Sequence, residues 1–173
     1  NVSIKLTQIG LGLDENVCAQ NLERILARAK QNKTFISIDI EDTPYTDKTI
    51  NTYYLMREKG YTNVGMAVQS YLFRAEADTR RLVQDKTTIR LVKGAYKEPP
   101  DKAFPSKADV DANYDLLTKI LIDASLAHKT TLSEDGRFPS IPSIATHDEK
   151  RIAFAKQYAE KVGLPKNGME FQM

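Results

Sequence analysis

The sequence predicts an α/β protein in which βα units surround a parallel sheet, and three observations lead to this class. Short β-branched runs alternate with longer amphipathic runs along the whole chain. Capping residues separate these runs: Asp14 precedes the first amphipathic run, and Gly60 and Gly163 follow the ends of two others. Polar residues also recur on one face of successive strand runs, although strands of a parallel sheet are usually apolar.

The alternation predicts six strands and five helices. The strand runs are residues 2–6, 35–40, 63–70, 87–93, 141–146 and 169–173. The helical runs are residues 15–31, 47–59, 75–84, 108–128 and 148–162. Two connections, residues 97–107 and 130–140, are long and contain proline, and loops of this kind often act as lids or insertions.

The composition is that of an ordinary globular protein and favours small-molecule chemistry. The 173 residues are 41% hydrophobic and 28% charged, which is enough for one domain with a core. The 25 Lys and Arg residues nearly balance 23 Asp and Glu residues, so the net charge of +2 does not indicate a nucleic-acid partner. One cysteine excludes an intrachain disulfide, and with only two histidines no Cys/His zinc spacing exists.

Six strands and five helices are too few to close a (βα)8 barrel, a fold that usually needs about 250 residues. The chain enters a predicted strand at once, and Met173 lies within another. We therefore expect residues 1–173 to be the central part of one larger domain.

The run RLVKGAY begins with Arg90, which lies between two apolar residues of a predicted strand. A buried arginine loses its hydration at a large cost unless a partner pairs with it, so Arg90 is either at the surface or part of a site. Lys5, Asp39 and Gln69 lie in the carboxyl-terminal halves of other strand runs. Polar residues at matching depth in parallel strands favour a site at the carboxyl ends of the strands.

Each of these residues also has a simpler structural explanation. Lys5 and Asp39 on neighbouring strands can form a structural ion pair, and Gln69 can be a solvated surface residue. His147 can meet a ligand phosphate or ribose at a helix N-terminus, or it can be a capping residue in a loop. The joint pattern, rather than any single residue, favours a site.

Two other functions are compatible with the residues alone. A Schiff-base aldolase or related lyase would use Lys5 as the nucleophile and Asp39 for proton transfer, but it gives no role to Arg90. A non-catalytic barrel scaffold would pair its charges internally, and replacement of Arg90 would then change its stability little.

Six motifs, one on each predicted strand, resemble the proline dehydrogenases in the same order: VSIKLTQIG, ISIDIED, GMAVQSYLFR, IRLVKGAYKEP, ATHDEK and EFQM. Their short spacing resembles the monofunctional bacterial members. The resemblance implies a (βα)8 TIM-type barrel that binds FAD without a Rossmann domain. About six strands and five helices of that barrel would lie in this chain, without its first strand, last strand and final helix.

The resemblance implies the FAD-dependent oxidation of L-proline to Δ1-pyrroline-5-carboxylate, the first step of proline catabolism. A hydride would move from proline C5 to flavin N5, and the electrons would pass to a quinone. The implied location is cytoplasmic, and the implied transfer of electrons to a membrane quinone is compatible with peripheral contact at the inner face of the membrane. A functional link to a pyrroline-5-carboxylate dehydrogenase is also implied.

Five strand residues resemble family residues around the substrate and the flavin ring. Lys5 resembles the lysine that pairs with the proline carboxylate, and Asp39 resembles the acidic residue that orients this site. Ile40 is similar to a residue that packs against the flavin. Gln69 resembles the glutamine that hydrogen-bonds the isoalloxazine edge. Arg90 resembles the arginine near flavin N5, where its charge would stabilise arriving electron density.

The remaining matches concern the rest of the cofactor. The resemblance implies that the backbone of Val92, Lys93 and Gly94 cradles FAD, with glycine at position 94 because a side chain would obstruct close approach. Thr146 and His147 resemble the pair that contacts the dinucleotide portion.

One family residue has no counterpart in this sequence. A paired arginine on the family's final helix clamps the proline carboxylate together with the lysine, and no residue of this chain matches it. We therefore expect the parent protein to be active and residues 1–173 alone to be poorly active or inactive.

Overall fold

The computed structural model describes residues 1–173 and divides them into two compact units, Asn1–Ala67 and Val68–Met173. Both units alternate strands with helices, so the predicted α/β class is confirmed. None of the helices is both long enough and apolar enough to cross a membrane.

The first unit pairs its strands in chain order and in parallel. Its elements are β1 (Val2–Lys5), α1 (Glu15–Gln31), β2 (Ile36–Asp39), α2 (Thr43–Glu58) and β3 (Val64–Gln69), which crosses the unit boundary. β1 pairs with β2 so that Lys5 lies opposite Asp39, and β2 pairs with β3 so that Ser37 lies opposite Gly65. The core of this unit includes the fully buried side chains of Leu22, Leu26, Ile38, Met56 and Met66.

Local sequence explains where α1 begins. The Oδ1 atom of Asp14 accepts hydrogen bonds from the backbone amides of Asn16 at 2.7 Å and Val17 at 2.9 Å. These bonds satisfy two amides that have no partner within the helix. Apolar residues at helical spacing are buried along α1: Cys18, Leu22, Leu26 and Ala29. The prediction of a helix at residues 15–31 is confirmed.

The second unit continues the alternation of helix and strand. Its elements are α3 (Ala75–Gln84), β4 (Ile89–Val92), α4 (Lys107–His128), β5 (Pro142–Ala145), α5 (Glu149–Val162) and β6 (Glu170–Gln172). The chain that leaves β3 runs beside β4, because the Ser70 amide donates to the Val92 carbonyl at 2.8 Å. β4 pairs with β5 and β5 with β6, both in parallel, with Arg90 opposite Ser143 and Ser143 opposite Glu170.

Most element boundaries lie within one or two residues of the prediction, and two of the differences have a clear local cause. β1 ends at Lys5 because Leu6–Ile9 form a 3-10 helix, which Gly10 ends in a left-handed conformation. α2 begins at Thr43 rather than at residue 47, and Pro44 lies in its first turn. Proline suits this position because its φ is already helical and the missing amide hydrogen would have no helical partner there.

The long connection at residues 97–107 is folded back onto the segment that follows β3. The Phe73 amide donates to the Lys102 carbonyl at 3.0 Å, and the Phe104 amide donates to the Tyr71 carbonyl at 2.8 Å. Between these two bonds, Leu72 and Ala103 form an antiparallel bridge. The rings of Phe73 and Phe104 pack edge to face at 4.7 Å. The connection is therefore a loop that backbone hydrogen bonds hold against the segment after β3.

Candidate active site

Most of the predicted site residues lie at the carboxyl ends of their strands, whereas Arg90 is the second of the four residues of β4. Lys5, Asp39 and Gln69 are the last residues of β1, β2 and β3, Val92 is the last residue of β4, and Thr146 directly follows β5. In α/β proteins with parallel strands, active sites are built at this end of the sheet.

The first unit brings Lys5 and Asp39 to opposite positions of neighbouring strands. Paired parallel strands lie about 4.8 Å apart, so the two oppositely charged side chains start from the same level of the sheet. Both side chains are half-buried. Ile40, which follows Asp39, is 7% exposed and belongs to the apolar core of this unit.

Glu41, two residues after Asp39, is a structural residue of this site that was not among the predicted site residues. Its carboxylate is buried and accepts two hydrogen bonds from Thr7, from the backbone amide at 3.2 Å and from the hydroxyl at 2.6 Å. The segment after β1 is thereby tied to the segment after β2. Because Lys5 immediately precedes this segment, Glu41 restrains the chain around it.

The second unit holds Arg90 through a chain of side-chain hydrogen bonds. The Nε atom of Arg90 donates to Oε1 of Gln172 at 2.8 Å. The Nε2 atom of Gln172 donates to Oε1 of Glu170 at 2.5 Å, and the Ser143 hydroxyl donates to the same oxygen at 2.8 Å. Arg90 is half-buried. It therefore has a polar partner within the protein, as a guanidinium removed from water requires.

The end of β3 is held by both β4 and α4. Gln69 is 3% exposed and begins a tight turn, in which its carbonyl accepts from the Leu72 amide at 3.2 Å. The carbonyl of Ser70 accepts from Nδ2 of the buried Asn113 at 2.7 Å. The simple explanation of Gln69 as a solvated surface residue is wrong, because the side chain is almost fully buried.

The backbone carbonyls of residues 92 and 93 are hydrogen-bonded to the segment that follows β3. The Val92 and Lys93 carbonyls accept from the amides of Ser70 at 2.8 Å and Tyr71 at 2.9 Å. Gly94 has φ +114°, and a Cβ atom there would lie 2.3 Å from Cδ1 of Tyr71. Glycine is therefore required both by the backbone conformation and by the Tyr71 ring.

Lys93 belongs to a network of three cations and three carboxylates that the sequence analysis missed. Its Nζ atom lies 2.5 Å from Oδ1 of Asp111 and 2.6 Å from Oδ2 of Asp148. Lys107 also contacts both carboxylates. The same network continues through Arg151, whose Nε lies 3.0 Å from Asp115 and whose Nη1 lies 3.7 Å from Asp111. The network joins the end of β4 to the starts of α4 and α5.

This network shifts the pKa values of its carboxylates. The hydrogen bond from Lys93 is the main reason that the pKa of Asp148 lies far below its ordinary value. Burial alone would raise the pKa of Asp111, but the hydrogen bonds from Lys107 and Lys93 outweigh it and lower the pKa. Burial raises the pKa of Asp115, and the Arg151 charge offsets only part of this rise.

Asp148 also caps α5, beside the two predicted dinucleotide contacts. Its Oδ1 atom accepts from the amides of Lys150 at 3.0 Å and Arg151 at 3.4 Å, and its own amide donates to the Thr146 hydroxyl at 3.0 Å. These helix amides are thus used by a carboxylate of the chain. His147 lies between Thr146 and Asp148 with an exposed side chain.

The donors and acceptors of the second unit fit a flavin. The Gln69 amide carries both a donor and an acceptor, which a flavin pyrimidine edge also presents. The Arg90 guanidinium supplies a cation whose direction is restrained by Gln172. At Gly94 the backbone has the left-handed φ of +114° and no side chain. Thr146 and His147 lie directly before the Asp148 cap of α5, and their hydroxyl and imidazole groups can hydrogen-bond a phosphate-bearing part.

Comparison with known proteins identifies relatives over the whole chain. The family model for proline dehydrogenase matches residues 1–173. Proline dehydrogenase 2 of Bacillus subtilis is 38% identical over 174 residues, and proline dehydrogenase of Deinococcus radiodurans is 39% identical over 176 residues. The matches cover 100% and 99% of this chain but 52% of each relative. The chain thus spans about half the length of these curated relatives.

Solved structures share the fold. A crystal structure of proline utilization A from Bdellovibrio bacteriovorus inactivated by N-propargylglycine matches all of this chain and 20% of its own, with a TM-score of 0.81 and 26% identity. Proline utilization A from Bradyrhizobium japonicum matches with a TM-score of 0.75 at 23% identity, over 98% of this chain and 19% of its own, which supports the fold alone. The predicted TIM-type barrel fold is confirmed by these likenesses. The chain belongs to the proline dehydrogenase family.

Proposed function

We propose that the protein containing this chain is an FAD-dependent proline dehydrogenase, which oxidises L-proline to Δ1-pyrroline-5-carboxylate in the first step of proline catabolism. Membership of the family is the basis of the proposal. The structural observation that carries it is the half-buried Arg90, whose Nε atom is held by Gln172 at 2.8 Å. A cation restrained in this way can stabilise negative charge that develops on an electron acceptor.

Lys5 and Asp39 form the proposed substrate end of the site. The Lys5 ammonium binds the carboxylate of proline, because a lysine at the end of a strand presents a compact positive charge with three donors. Asp39 lies opposite Lys5 in the sheet and restrains that ammonium through its own negative charge. The Thr7 and Glu41 hydrogen bonds hold the backbone that follows each strand.

The proposed cofactor residues belong to the chain segments at the strand ends. Gln69 and Arg90 hold the flavin ring, Ile40 packs against it, and Thr146 and His147 contact the dinucleotide portion. The backbone of Val92, Lys93 and Gly94 also takes part in binding. FAD held by these residues would supply flavin N5 as the hydride acceptor for proline C5, with a quinone as the final electron acceptor.

The domain organisation, the cellular location and the enzyme that uses the product are also proposed from the family. The chain is the central part of a single barrel domain, of the monofunctional bacterial type, and is poorly active or inactive alone. The curated relatives support the monofunctional type, since they are 38% and 39% identical while the proline utilization A from Bdellovibrio bacteriovorus is 26% identical. A cytoplasmic location with peripheral contact at the inner membrane face would give access to the quinone, and a pyrroline-5-carboxylate dehydrogenase would consume the product.

The test is an absorbance spectrum of the purified full-length protein that contains this chain, recorded before and after anaerobic addition of L-proline. The window, roughly 300 to 550 nm, is chosen for oxidised flavin. We expect flavin bands that bleach with proline, and bands that bleach much more slowly in Arg90→Met. A folded protein without flavin bands, in which Lys5 is trapped by borohydride with a carbonyl substrate, would establish the lyase alternative instead. A folded protein that binds no flavin and is trapped by no carbonyl would support the scaffold.

A further inference from the structure

We propose that Gln172 is the positioning residue of Arg90 and that the Glu170 carboxylate sets the orientation of the Gln172 amide. This inference rests on the proposed function of the same site. Gln172 would fix the direction of the guanidinium without cancelling its charge, which is what an electron-accepting site needs from this cation.

The sheet register explains how these residues meet. Arg90 on β4 lies opposite Ser143 on β5, and Ser143 lies opposite Glu170 on β6. Glu170 and Gln172 are two positions apart on one strand, so their side chains share a face. Arg90 and Gln172 are 82 positions apart in the chain and meet only because β4, β5 and β6 are neighbours in the sheet.

Hydrogen-bond chemistry allows only one orientation of the Gln172 amide. A carboxylate accepts and cannot donate, so Glu170 requires the NH2 group of Gln172 to face it, as it does at 2.5 Å. A guanidinium donates and cannot accept, so Arg90 requires the amide oxygen, which it contacts at 2.8 Å. Both requirements are met at once. If the amide rotated by half a turn, both contacts would be lost. The Gln172 NH2 group would then face the Arg90 Nε–H, donor against donor, and the Gln172 oxygen would face the Glu170 carboxylate, acceptor against acceptor.

The Glu170 carboxylate is in turn anchored to a buried residue. Its Oε1 atom accepts from the Ser143 hydroxyl at 2.8 Å, and Ser143 is 1% exposed. Gln172 and Arg90 are only half-buried, so burial alone does not fix their rotamers. This series of hydrogen bonds therefore links the Arg90 guanidinium to the buried Ser143 side chain and restrains its orientation.

The choice of glutamine rather than glutamate at position 172 follows from charge. A carboxylate there would form an ion pair with Arg90 and reduce its effective positive charge. It would also face the Glu170 carboxylate at hydrogen-bond distance, where like charges repel. The neutral amide avoids both effects while keeping the directional bond to Nε.

The test uses variants of the full-length protein that contains this chain, at both ends of this series of hydrogen bonds. We expect Gln172→Leu to lower the rate constant of flavin reduction by proline about 10-fold to 100-fold, with KM changed less than about 3-fold, because Arg90 is misdirected while Lys5 still binds substrate. Glu170→Gln should cause a smaller loss, since a glutamine at position 170 can accept or donate and no longer forces one orientation. Gln172→Glu should lower the reduction potential of the bound flavin.

A double-mutant cycle separates positioning from a merely structural role. If Gln172 acts through Arg90, Gln172→Leu should change the rate little in an Arg90→Met background, whereas independent effects would add. Additive effects would overturn the proposal. Gln172→Leu with unchanged rate and unchanged flavin potential would also overturn it. If Gln172→Leu does not fold, Ser143→Ala provides the milder variant, for which a several-fold loss of rate is expected and an unchanged rate contradicts the proposal.

A readout without proline distinguishes this inference from the proposed function. The Nε–H group of Arg90, assigned by its absence in Arg90→Met, should exchange slowly with solvent in NMR spectra of the protein and rapidly in Gln172→Leu. Slow exchange in both proteins would mean that Gln172 does not restrain Arg90, whatever the substrate is. Loss of protection in a protein that does not respond to proline would support the inference and contradict the proposed substrate.

Discussion

The Nζ atom of Lys93 lies 2.6 Å from Oδ2 of Asp148 and links the end of β4 to the residue that caps α5. Both side chains are largely shielded, with 25% and 20% of their areas exposed. The same ammonium lies 2.5 Å from Asp111 on α4. One lysine thus connects three elements of the second unit, so its loss should affect how they pack together.

Replacement of Lys93 by methionine should destabilise the second unit. The change keeps most of the aliphatic stem but leaves the Asp111 and Asp148 carboxylates without their shared cation, so we expect a loss of about 2 kcal/mol in unfolding free energy. Urea denaturation monitored by circular dichroism measures this loss. Lys107→Met is the matched control, because Lys107 contacts the same carboxylates from a largely exposed position and should cost less. An equal loss in both variants would contradict the central role of Lys93.

Stability should fall in acid as Asp148 and Asp111 become protonated. Their pKa values are lowered in the folded protein, and a carboxyl with a lowered folded pKa contributes stability above its unfolded pKa, whose ordinary value is 3.8. That contribution is lost as the pH falls below this value toward the folded pKa. Unfolding free energies measured at a series of pH values should show a steeper acid loss in the parent than in Asp148→Asn. Parallel pH curves would show that Asp148 does not carry the effect.

Gly94→Ala should be strongly destabilising. The backbone at this position has φ +114°, and the new Cβ would lie 2.3 Å from the Tyr71 ring. We expect a loss of about 2 to 4 kcal/mol from the combined strain and overpacking. In a Tyr71→Ala background the steric part should disappear and the conformational part remain, so the cost of Gly94→Ala should fall by about half. An unchanged cost in that background would mean that the ring yields freely.

Asp14→Ala should weaken the start of α1. The variant removes the acceptor of two amide hydrogen bonds, and losing such a cap costs about 1 kcal/mol. Asp42→Ala is the matched control, because Asp42 precedes α2 in the same position but makes no side-chain cap hydrogen bond. Thermal unfolding of both variants should show the larger decrease in Tm for Asp14→Ala. Equal decreases would indicate that helix-dipole charge, not the hydrogen bond, is responsible.

Features that depend on neighbouring residues were predictable. The helices at residues 15–31 and 75–84 begin and end where predicted, because a 3.6-residue apolar period is a local signal. For the first helix the Asp14 cap is a second local signal. All six strands were also predicted. The early start of α2 was missed because the apolar pattern is weak there, although Pro44 was a usable signal.

The sequence by itself determined the α/β class, the strand positions of Lys5, Asp39, Gln69 and Arg90, and the family, because these depend on local periodicity and on motifs. Only the tertiary structure decided which side chains become partners. Arg90 on β4 hydrogen-bonds Gln172 on β6, with β5 between the two strands. Lys93 pairs with Asp148, and the Tyr71 ring packs against Gly94. These contacts join residues that lie far apart in the chain, and hydrogen bonds and close packing form only when sheet register and helix docking bring the atoms within a few ångströms.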